Sequence, residues 1–448
     1  MLMMNKRQFL KTGAALGLST GLGAFTQLQA LAQAATGDDY RALVCLFMFG
    51  GNDANNLLVP YETTDYNRYA RARSNLALGR DALLPISPTN TGGVRYGLHP
   101  AMSGIAGLFG QGQAALVANT GPLMVPTSKA QWNSRSVPLP DNLFSHSDQQ
   151  SQWQAALYSR PTTGWGGRLT ERLVADGSSN RGYSVISVTG GNLWETGDGT
   201  LSAYKVSASG NFGFDFYDPA GTDPLSIAIR ETLADTHQHL FEQGFVDVMG
   251  RSIEVQRVLT QALESSTVAT VFPDTDLGRQ LRMVARLIAA RDALGLRKQC
   301  FFCSIGGFDT HGDDQLQRQN ELLGDISAAV TAFYAATVEL GVAGNVTTFS
   351  ASDFSRTFTS NGQGSDHGWG AHHFVVGGAV RGTQIYGEFP DLVVGGNQDS
   401  GDQGNWIPTT ATEQYAATLG RWFGADDAAL AQVFPQLRHF SGPLGFLG

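Results

Sequence analysis

The stretch that decides the fold is RALVCLFMF, residues 41–49, which runs directly into GGND, residues 50–53. An unbroken apolar run is typical of a strand that is buried on both faces, as in a parallel sheet covered by helices. The two glycines allow backbone to approach a ligand closely, and Asp53 follows them. The segment therefore predicts a central strand with a polar turn at its carboxyl end.

Further strands and helices alternate along the rest of the chain. Apolar repeats at helical spacing predict helices over 277–288 and 316–333, the first capped by Asp274 or Thr275. Short apolar runs predict strands at 114–118, 184–188, 299–305, 346–350 and 374–376. This order predicts an α/β domain over 35–448, a three-layer sandwich with a mostly parallel central sheet. Residues 120–230, rich in Gly, Ser, Asn and Pro, are expected to form long insertions around a site.

Composition excludes several classes of protein. Of 448 residues, 42% are hydrophobic and 15% are charged, which is unlike a disordered chain or a coiled coil. The formal net charge of −9 argues against nucleic acid as a partner, because phosphate binding needs clustered Lys and Arg. Three cysteines are too few for a disulfide framework in a chain of this length.

The N-terminus predicts an export signal over residues 1–34. Lys6-Arg7 precedes a weakly apolar stretch, 13–31, that is too short and too polar for a stable membrane span. Small residues at 30–32 and 32–34 offer cleavage sites. The pattern resembles a twin-arginine signal with Lys-Arg in place of Arg-Arg, and an ordinary secretory signal is the alternative. We expect a periplasmic or secreted protein with the twin-arginine translocase as its partner during export.

Acidic residues and histidines collect where the predicted strands end. In open α/β sheets, ligands bind beyond the carboxyl ends of the strands. Carboxylates brought together there repel one another unless they are protonated or bridged by a cation. Mixed Asp and His ligands suit zinc or manganese better than calcium or magnesium. The pattern predicts one or two divalent ions, with candidate ligands Asp53, Asp309, His311, Asp353, Asp366 and His367.

Each of these residues also has an ordinary structural interpretation. A single Asp after a strand is commonly a turn residue or a helix cap. Cys300 and Cys303 form C-x-x-C, but positions i and i+3 of a strand point to opposite faces, which disfavours a thiol-redox site.

A second candidate region is Ser145-His146-Ser147-Asp148, a loop leading into a predicted helix. Ser145 or Ser147 could act as a metal-activated nucleophile, and His146 could be a ligand or an acid. Asp148 could instead be a helix cap, with His146 on the surface. Arg356 is a candidate for holding an oxyanion, because a guanidinium matches phosphate and sulfate.

The order of the motifs resembles a family of exported bacterial proteins, the domain of unknown function 1501 family, from about Tyr40 to the C-terminus. The motifs that carry the resemblance are Gly50-Gly51-Asn52-Asp53, Leu98-His99-Pro100-Ala101, Ser145-His146, Gly307-Phe308-Asp309-Thr310-His311, Ser352-Asp353-Phe354-Ser355-Arg356-Thr357 and Asp366-His367-Gly368. That family is similar to the alkaline phosphatase and sulfatase superfamily, whose α/β sandwich holds one or two metals at strand ends.

The resemblance implies a role for each acid and histidine. By this resemblance, Asp53 corresponds to the superfamily's first-strand ligand, and Asp309 and His311 correspond to an Asp/His ligand pair. Asp353 corresponds to the Asp of an Asp-His dipeptide. His367 corresponds to the final His ligand, and Asp366 is an additional candidate. The sequence departs from that pattern because Phe354 replaces the histidine of the dipeptide and no nucleophile is evident. We therefore expect a metal-dependent hydrolase of a phosphate or sulfate ester. The alternative is a non-catalytic exported protein that binds an envelope ligand on the same fold.

Overall fold

The computed structural model describes residues 40–174, 181–199, 201, 203–210, 217–235 and 237–448. The predicted export signal lies outside these residues. Within them, no helix is both long enough and apolar enough to cross a membrane.

A nine-stranded sheet forms the centre of the molecule, with strand order β11-β5-β10-β9-β1-β8-β6-β7 and β12 paired to β5. Its strands are β1 (Arg41–Phe49), β5 (Ala114–Gly121), β6 (Val185–Ser187), β7 (Tyr204–Lys205), β8 (Lys298–Gly306), β9 (Val346–Ser352), β10 (Ala371–Gly377), β11 (Ile385–Tyr386) and β12 (Thr410–Ala411). A small antiparallel sheet joins β2 (Leu58–Pro60), β4 (Tyr96–Leu98) and β3 (Leu84–Ile86) in that order.

The central sheet is mostly parallel, which confirms the predicted fold class. Strand β1 pairs in parallel with both β8 and β9, with Cys45 opposite Phe302 on one side and Phe349 on the other. Only β10 runs antiparallel, to β5 and β9, among the described strands of this sheet. The sequence patterns did not predict that reversal.

Helices cover both faces of the sheet. They span Ala54–Leu57, Thr63–Arg73, Ser103–Gly110, Lys129–Ser134, His146–Ala155, Trp165–Leu173, Pro224–Ala234, Leu240–Glu264, Asp276–Ala289, Gln315–Glu339, Thr412–Phe423 and Asp427–Val433. Short 3-10 turns lie at Ser74–Leu76, Arg80–Ala82, Arg181–Tyr183, Ala343–Asn345 and Leu437–His439. Of the two proposed caps for helix Asp276–Ala289, Thr275 is the one whose side chain accepts the Gly278 N–H.

The two faces of β1 belong to different cores. Val44 and Leu46 pack with helices Asp276–Ala289 and Gln315–Glu339, whereas Leu43 and Phe47 pack with helices Trp165–Leu173 and Thr412–Phe423. This alternation follows from the two-residue period of a strand and produces the three layers. Cys303 lies in the first core and Cys300 in the second, so the expectation that they face opposite sides is confirmed.

The strand order also positions the site. Strands β9, β1 and β8 are neighbours and run in the same direction, so their carboxyl ends meet at one edge of the sheet. The turns that follow them, 353–356, 50–53 and 307–311, therefore lie side by side. These turns carry the acidic residues Asp53, Asp309 and Asp353.

Candidate metal centre

The turns pack closely around two glycines of the first one. Gly50 and Gly51 both have positive φ, +110° and +79°, which favours glycine. A Cβ on Gly50 would lie 2.4 Å from the backbone nitrogen of Asp309, and one on Gly51 would lie 2.4 Å from the Phe354 ring. The glycines therefore allow the three strand-end turns to touch.

Three imidazoles converge on the carboxylate of Asp309. The Oδ1 atom of Asp309 lies 3.1 Å from Nε2 of His311, 3.4 Å from Nε2 of His146 and 3.8 Å from Nε2 of His367. The Nε2 atoms of His311 and His367 are 3.0 Å apart. The site thus joins the Ser145-His146 region to the strand-end loops, which are far apart in the chain.

The other nitrogen of each imidazole is held by an acceptor outside the cluster. Nδ1 of His146 lies 2.7 Å from the buried Asp353 carboxylate, and Nδ1 of His311 lies 3.1 Å from Asp366. Nδ1 of His367 lies 2.7 Å from the backbone oxygen of Phe144. Because carboxylate and carbonyl oxygens only accept, each Nδ1 carries a hydrogen, and each Nε2 is the nitrogen that a metal would bind.

This arrangement fits a metal ion. A tetrahedral zinc shell with bonds of roughly 2.0–2.1 Å has ligand atoms about 3.3 Å apart, close to the separations between these nitrogens and Asp309. His146, Asp309 and His367 each offer an atom within 4.8 Å of the others. Nε2 of His146 is buried and, among the described residues, makes no hydrogen bond. Metal-bound histidines typically donate their second N–H to an outer carboxylate or carbonyl, as all three rings do here.

Neighbouring groups and burial shift the pKa values of residues in the cluster. Burial opposes ionisation of Asp309, but the hydrogen bond and charge of Arg356 outweigh it and lower the pKa of this carboxyl. The hydrogen bond to Asp353 raises the pKa of His146, whereas burial lowers the pKa of His367. Asp309 is therefore an anion ready to bind a cation.

Arg356 lies beneath the cluster and is completely buried. Its Nε donates to the Gly51 carbonyl at 2.9 Å, and its terminal nitrogens donate to the carbonyls of Gly50, Phe308 and Ser365. The same guanidinium donates to Asp309 at 2.6 Å and contacts Nε2 of His311 at 3.2 Å. Arg356, expected to hold an oxyanion, thus holds three turns and Asp309 in place within the chain.

Asp353 supports the cluster from outside. Its Oδ2 accepts from His146, from Nε2 of Gln150 at 2.8 Å and from the Gly50 backbone at 3.2 Å. The carboxylate is fully buried, and Oδ1 has no hydrogen bond among the described residues. Asp353, expected as a ligand, therefore contacts the Nδ1 side of the His146 ring, whose Nε2 faces Asp309.

Asp53 is placed away from the imidazoles. Its carboxylate forms a buried salt bridge with Arg73 and accepts from Nε2 of Gln315 at 2.7 Å. Arg73 also donates to the carbonyls of Thr357 and Phe358, each at 3.1 Å. The cation beside this expected metal ligand is thus a guanidinium of the chain itself.

Ser145 and Ser147 lie at the start of helix His146–Ala155. The Ser145 hydroxyl donates to Asp148 at 2.6 Å and does not cap the helix. Ser147 Oγ lies 3.3 Å from Ser145 Oγ. Ser145 directly precedes His146 in the chain, and the Asp148 carboxylate holds its hydroxyl.

Some residues that contact the site residues were not marked by any sequence pattern. Phe144 has φ of +72°, which is strained for a bulky residue, and its carbonyl orients His367. Gln150 lies in helix His146–Ala155, and the sequence patterns predicted no role for it. Of the paired histidines after the Asp-His-Gly loop, His372 stacks on Phe389 and His373 packs on Trp153, so neither joins the cluster.

Comparison with known proteins gives one family and several distant structures. The PsFucS1 sulfatase from Pseudoalteromonas sp. is 10% identical with a TM-score of 0.36, covering 94% of this chain and 76% of its own. The lipoteichoic acid synthase LtaP from Listeria monocytogenes is 8% identical with a TM-score of 0.31, covering 86% of this chain and 80% of its own. Ps i-CgsB, solved in complex with k-i-k-neocarrahexaose, is 10% identical with a TM-score of 0.31, covering 91% of this chain and 75% of its own.

No curated protein matches the sequence. The family model described as protein of unknown function (DUF1501) matches residues 40–400, in agreement with the resemblance of the motifs. The chain therefore belongs to the domain of unknown function 1501 family.

Proposed function

We propose that the protein binds one divalent transition-metal ion, zinc or manganese, and hydrolyses a phosphate or sulfate ester outside the cytoplasm after export by the twin-arginine route. The observation that supports this most is the 3.0 Å approach of Nε2 of His311 to Nε2 of His367. With Nδ1 of both rings hydrogen-bonded outward, both Nε2 lone pairs point into the cluster; Nη1 of Arg356, 3.2 Å from Nε2 of His311, offsets part of their repulsion, and a cation between the rings would remove the rest. Asp309 supplies the negative charge that favours a cation.

The ligand set favours a single ion. His146, His367 and Asp309 provide two nitrogens and one oxygen within 4.8 Å of one another, a set typical of zinc, and Nε2 of His311, 3.0 Å from that of His367, is the candidate for a third nitrogen. Asp53, which would be needed for a second ion, is paired with Arg73 and Gln315, and among the described residues no imidazole contacts its carboxylate. We therefore narrow the expectation of one or two ions to one.

The residues around the ion would each have a separate role in binding the metal or in hydrolysis. When bound, such an ion acts as a Lewis acid and lowers the pKa of water to roughly 7. Asp353, Asp366 and the Phe144 carbonyl keep the imidazoles in the binding tautomer, and Arg356 keeps Asp309 ionised. Ser145 is the side-chain candidate for the nucleophile, since Asp148 is placed to accept its proton.

Metal analysis of the purified mature protein tests the proposal. We expect about one equivalent of zinc or manganese in the wild type, none in His146→Ala, and an unchanged content in His439→Ala, which alters an exposed histidine outside the cluster. Hydrolysis of aryl phosphates, phosphodiesters and aryl sulfates should follow the same order. A wild type without transition metal would contradict the metal site.

The second candidate is a non-catalytic binding protein with the same centre. The observation that favours it is the burial of Arg356, which leaves no guanidinium of the cluster facing a substrate. Bound metal together with no hydrolysis of any ester in the panel would support this alternative.

A further inference from the structure

An anionic ester needs a positive group that Arg356 does not offer. Its guanidinium is buried, and its nitrogens donate to four carbonyls and to Asp309. Any guanidinium that binds the substrate must therefore come from the rim of the centre.

Arg318 lies beside the turn that leads to Asp309. It belongs to the first turns of helix Gln315–Glu339, and 44% of its side chain is exposed. A Cβ on Gly307 would lie 2.6 Å from Nη2 and 3.0 Å from Nε of Arg318, so the guanidinium rests on the turn that carries Asp309 two residues later. Gly307 directly follows β8, at the same edge of the sheet as the metal ligands.

Hydrogen bonds from neighbouring residues of the helix fix the position of Arg318, while its charge stays available to a ligand. Gln315 and Gln319, on the same helix, donate to the carboxylate of Asp53 and to its backbone carbonyl, both at 2.7 Å. These bonds tie the start of the helix to the first strand-end turn. The salt bridge from Arg318 to Glu321 measures 3.6 Å between exposed groups, a pairing that contributes little.

We propose that Arg318 binds the phosphate or sulfate group of the substrate, in place of Arg356. This rests on the proposed function, because it assigns the anion-binding group of the same centre. A guanidinium on a rigid helix start can donate two parallel N–H groups to two oxygens of such an anion. The glycine at 307 leaves space for the guanidinium directly over the turn.

Binding of inorganic sulfate and inorganic phosphate to the metal-loaded protein, measured by calorimetry, tests this assignment. We expect Arg318→Gln to weaken both by about 10- to 100-fold, as for loss of a hydrogen bond between charged groups, with the metal content unchanged. Arg318→Lys should have an intermediate affinity for both anions, because lysine keeps the positive charge but lacks the two parallel N–H groups of a guanidinium. Arg160→Gln, which removes the exposed arginine near Asp148, is the matched control and should bind both anions as the wild type does.

The outcomes separate the two proposals. Metal-loaded protein that binds neither anion, or Arg318→Gln binding both like the wild type, overturns the assignment of Arg318 and leaves the metal centre intact. A weakening in Arg160→Gln equal to that in Arg318→Gln also overturns it. Protein that contains no transition metal instead overturns the proposed function.

Discussion

Asp309 and Asp53 occupy equivalent positions, yet they have different surroundings. Each follows a glycine-rich turn at the end of a parallel strand, and each carboxylate is paired with a buried arginine, Arg356 or Arg73. Among the described residues, three imidazoles lie within 4.0 Å of Asp309, whereas Oδ2 of Asp53 accepts from Arg73 and Gln315 and its buried Oδ1 has no hydrogen bond. An acid at a strand end is therefore not a ligand by position alone. The neighbouring loops decide whether imidazoles gather around it.

The strongest test of this contrast compares the amide variants of the two acids. Asp309→Asn should weaken metal binding by more than about 100-fold, because loss of an outer-shell partner alone typically costs 10–100-fold. Asp53→Asn should leave the metal affinity unchanged. Competition with a chromophoric chelator measures both. Equal losses in the two variants would show that Asp53 is a ligand after all.

Asp53→Asn should instead lower the stability of the fold. Removing one partner of a buried ion pair typically costs about 3–5 kcal/mol, because the charge of Arg73 would remain buried and uncompensated. Urea denaturation of the chelated protein measures the change in the free energy of unfolding. As a control, Asp53→Leu combined with Arg73→Met should recover much of the loss. A single variant as stable as the wild type would mean that the pair is not buried as described.

Asp353 should show an intermediate effect, since it acts through His146. We expect Asp353→Asn to weaken metal binding by about 10- to 100-fold while the protein still binds the metal at high concentration. The same competition assay applies, with Asp366→Asn as the comparison at His311. Complete loss of metal from Asp353→Asn would indicate direct ligation.

Glu413 differs from Asp53 because it is a buried acid without an arginine partner. Glu413 is fully buried, has no salt bridge among the described residues, and burial raises its pKa to about 8. The unfolded chain ionises this group at its ordinary pKa of 4.5, so the unfolded state binds fewer protons than the fold and Glu413 lowers stability as pH rises from 4.5 to 8.

Glu413→Gln should remove that dependence. Between pH 6 and 7, the variant should gain about 1.4 kcal/mol of stability relative to the wild type. Urea denaturation at the two pH values gives the difference. Parallel pH profiles for both proteins would show that Glu413 is ionised in the fold.

The sequence predicted the parts of the site that depend on strand order. A parallel sheet brings the carboxyl ends of neighbouring strands together, so the proximity of the turns at Asp309 and Asp353 followed from the apolar runs before them. His311 and His367 entered through the same motifs. The three-layer architecture followed from the alternation of strands and helices.

The remaining features depend on tertiary contacts that leave no local pattern. Arg73 lies 20 residues after Asp53, in a helix where it reads as an ordinary surface arginine. The carbonyl of Phe144 carries no side-chain signature. Asp309 and Asp353, which we propose as a metal ligand and as an outer-shell partner, are chemically identical, and the position of His146 distinguishes them. The reversal of β10 was likewise absent from the apolar pattern.

X-ray absorption at the edge of the bound metal tests the central claim most directly. Our account predicts one metal with three imidazole nitrogens and one carboxylate oxygen at roughly 2.0–2.1 Å in the wild type, and one imidazole fewer in any His146→Ala protein reloaded with metal. A shell made only of oxygen ligands, or a spectrum unchanged by His146→Ala, would contradict it.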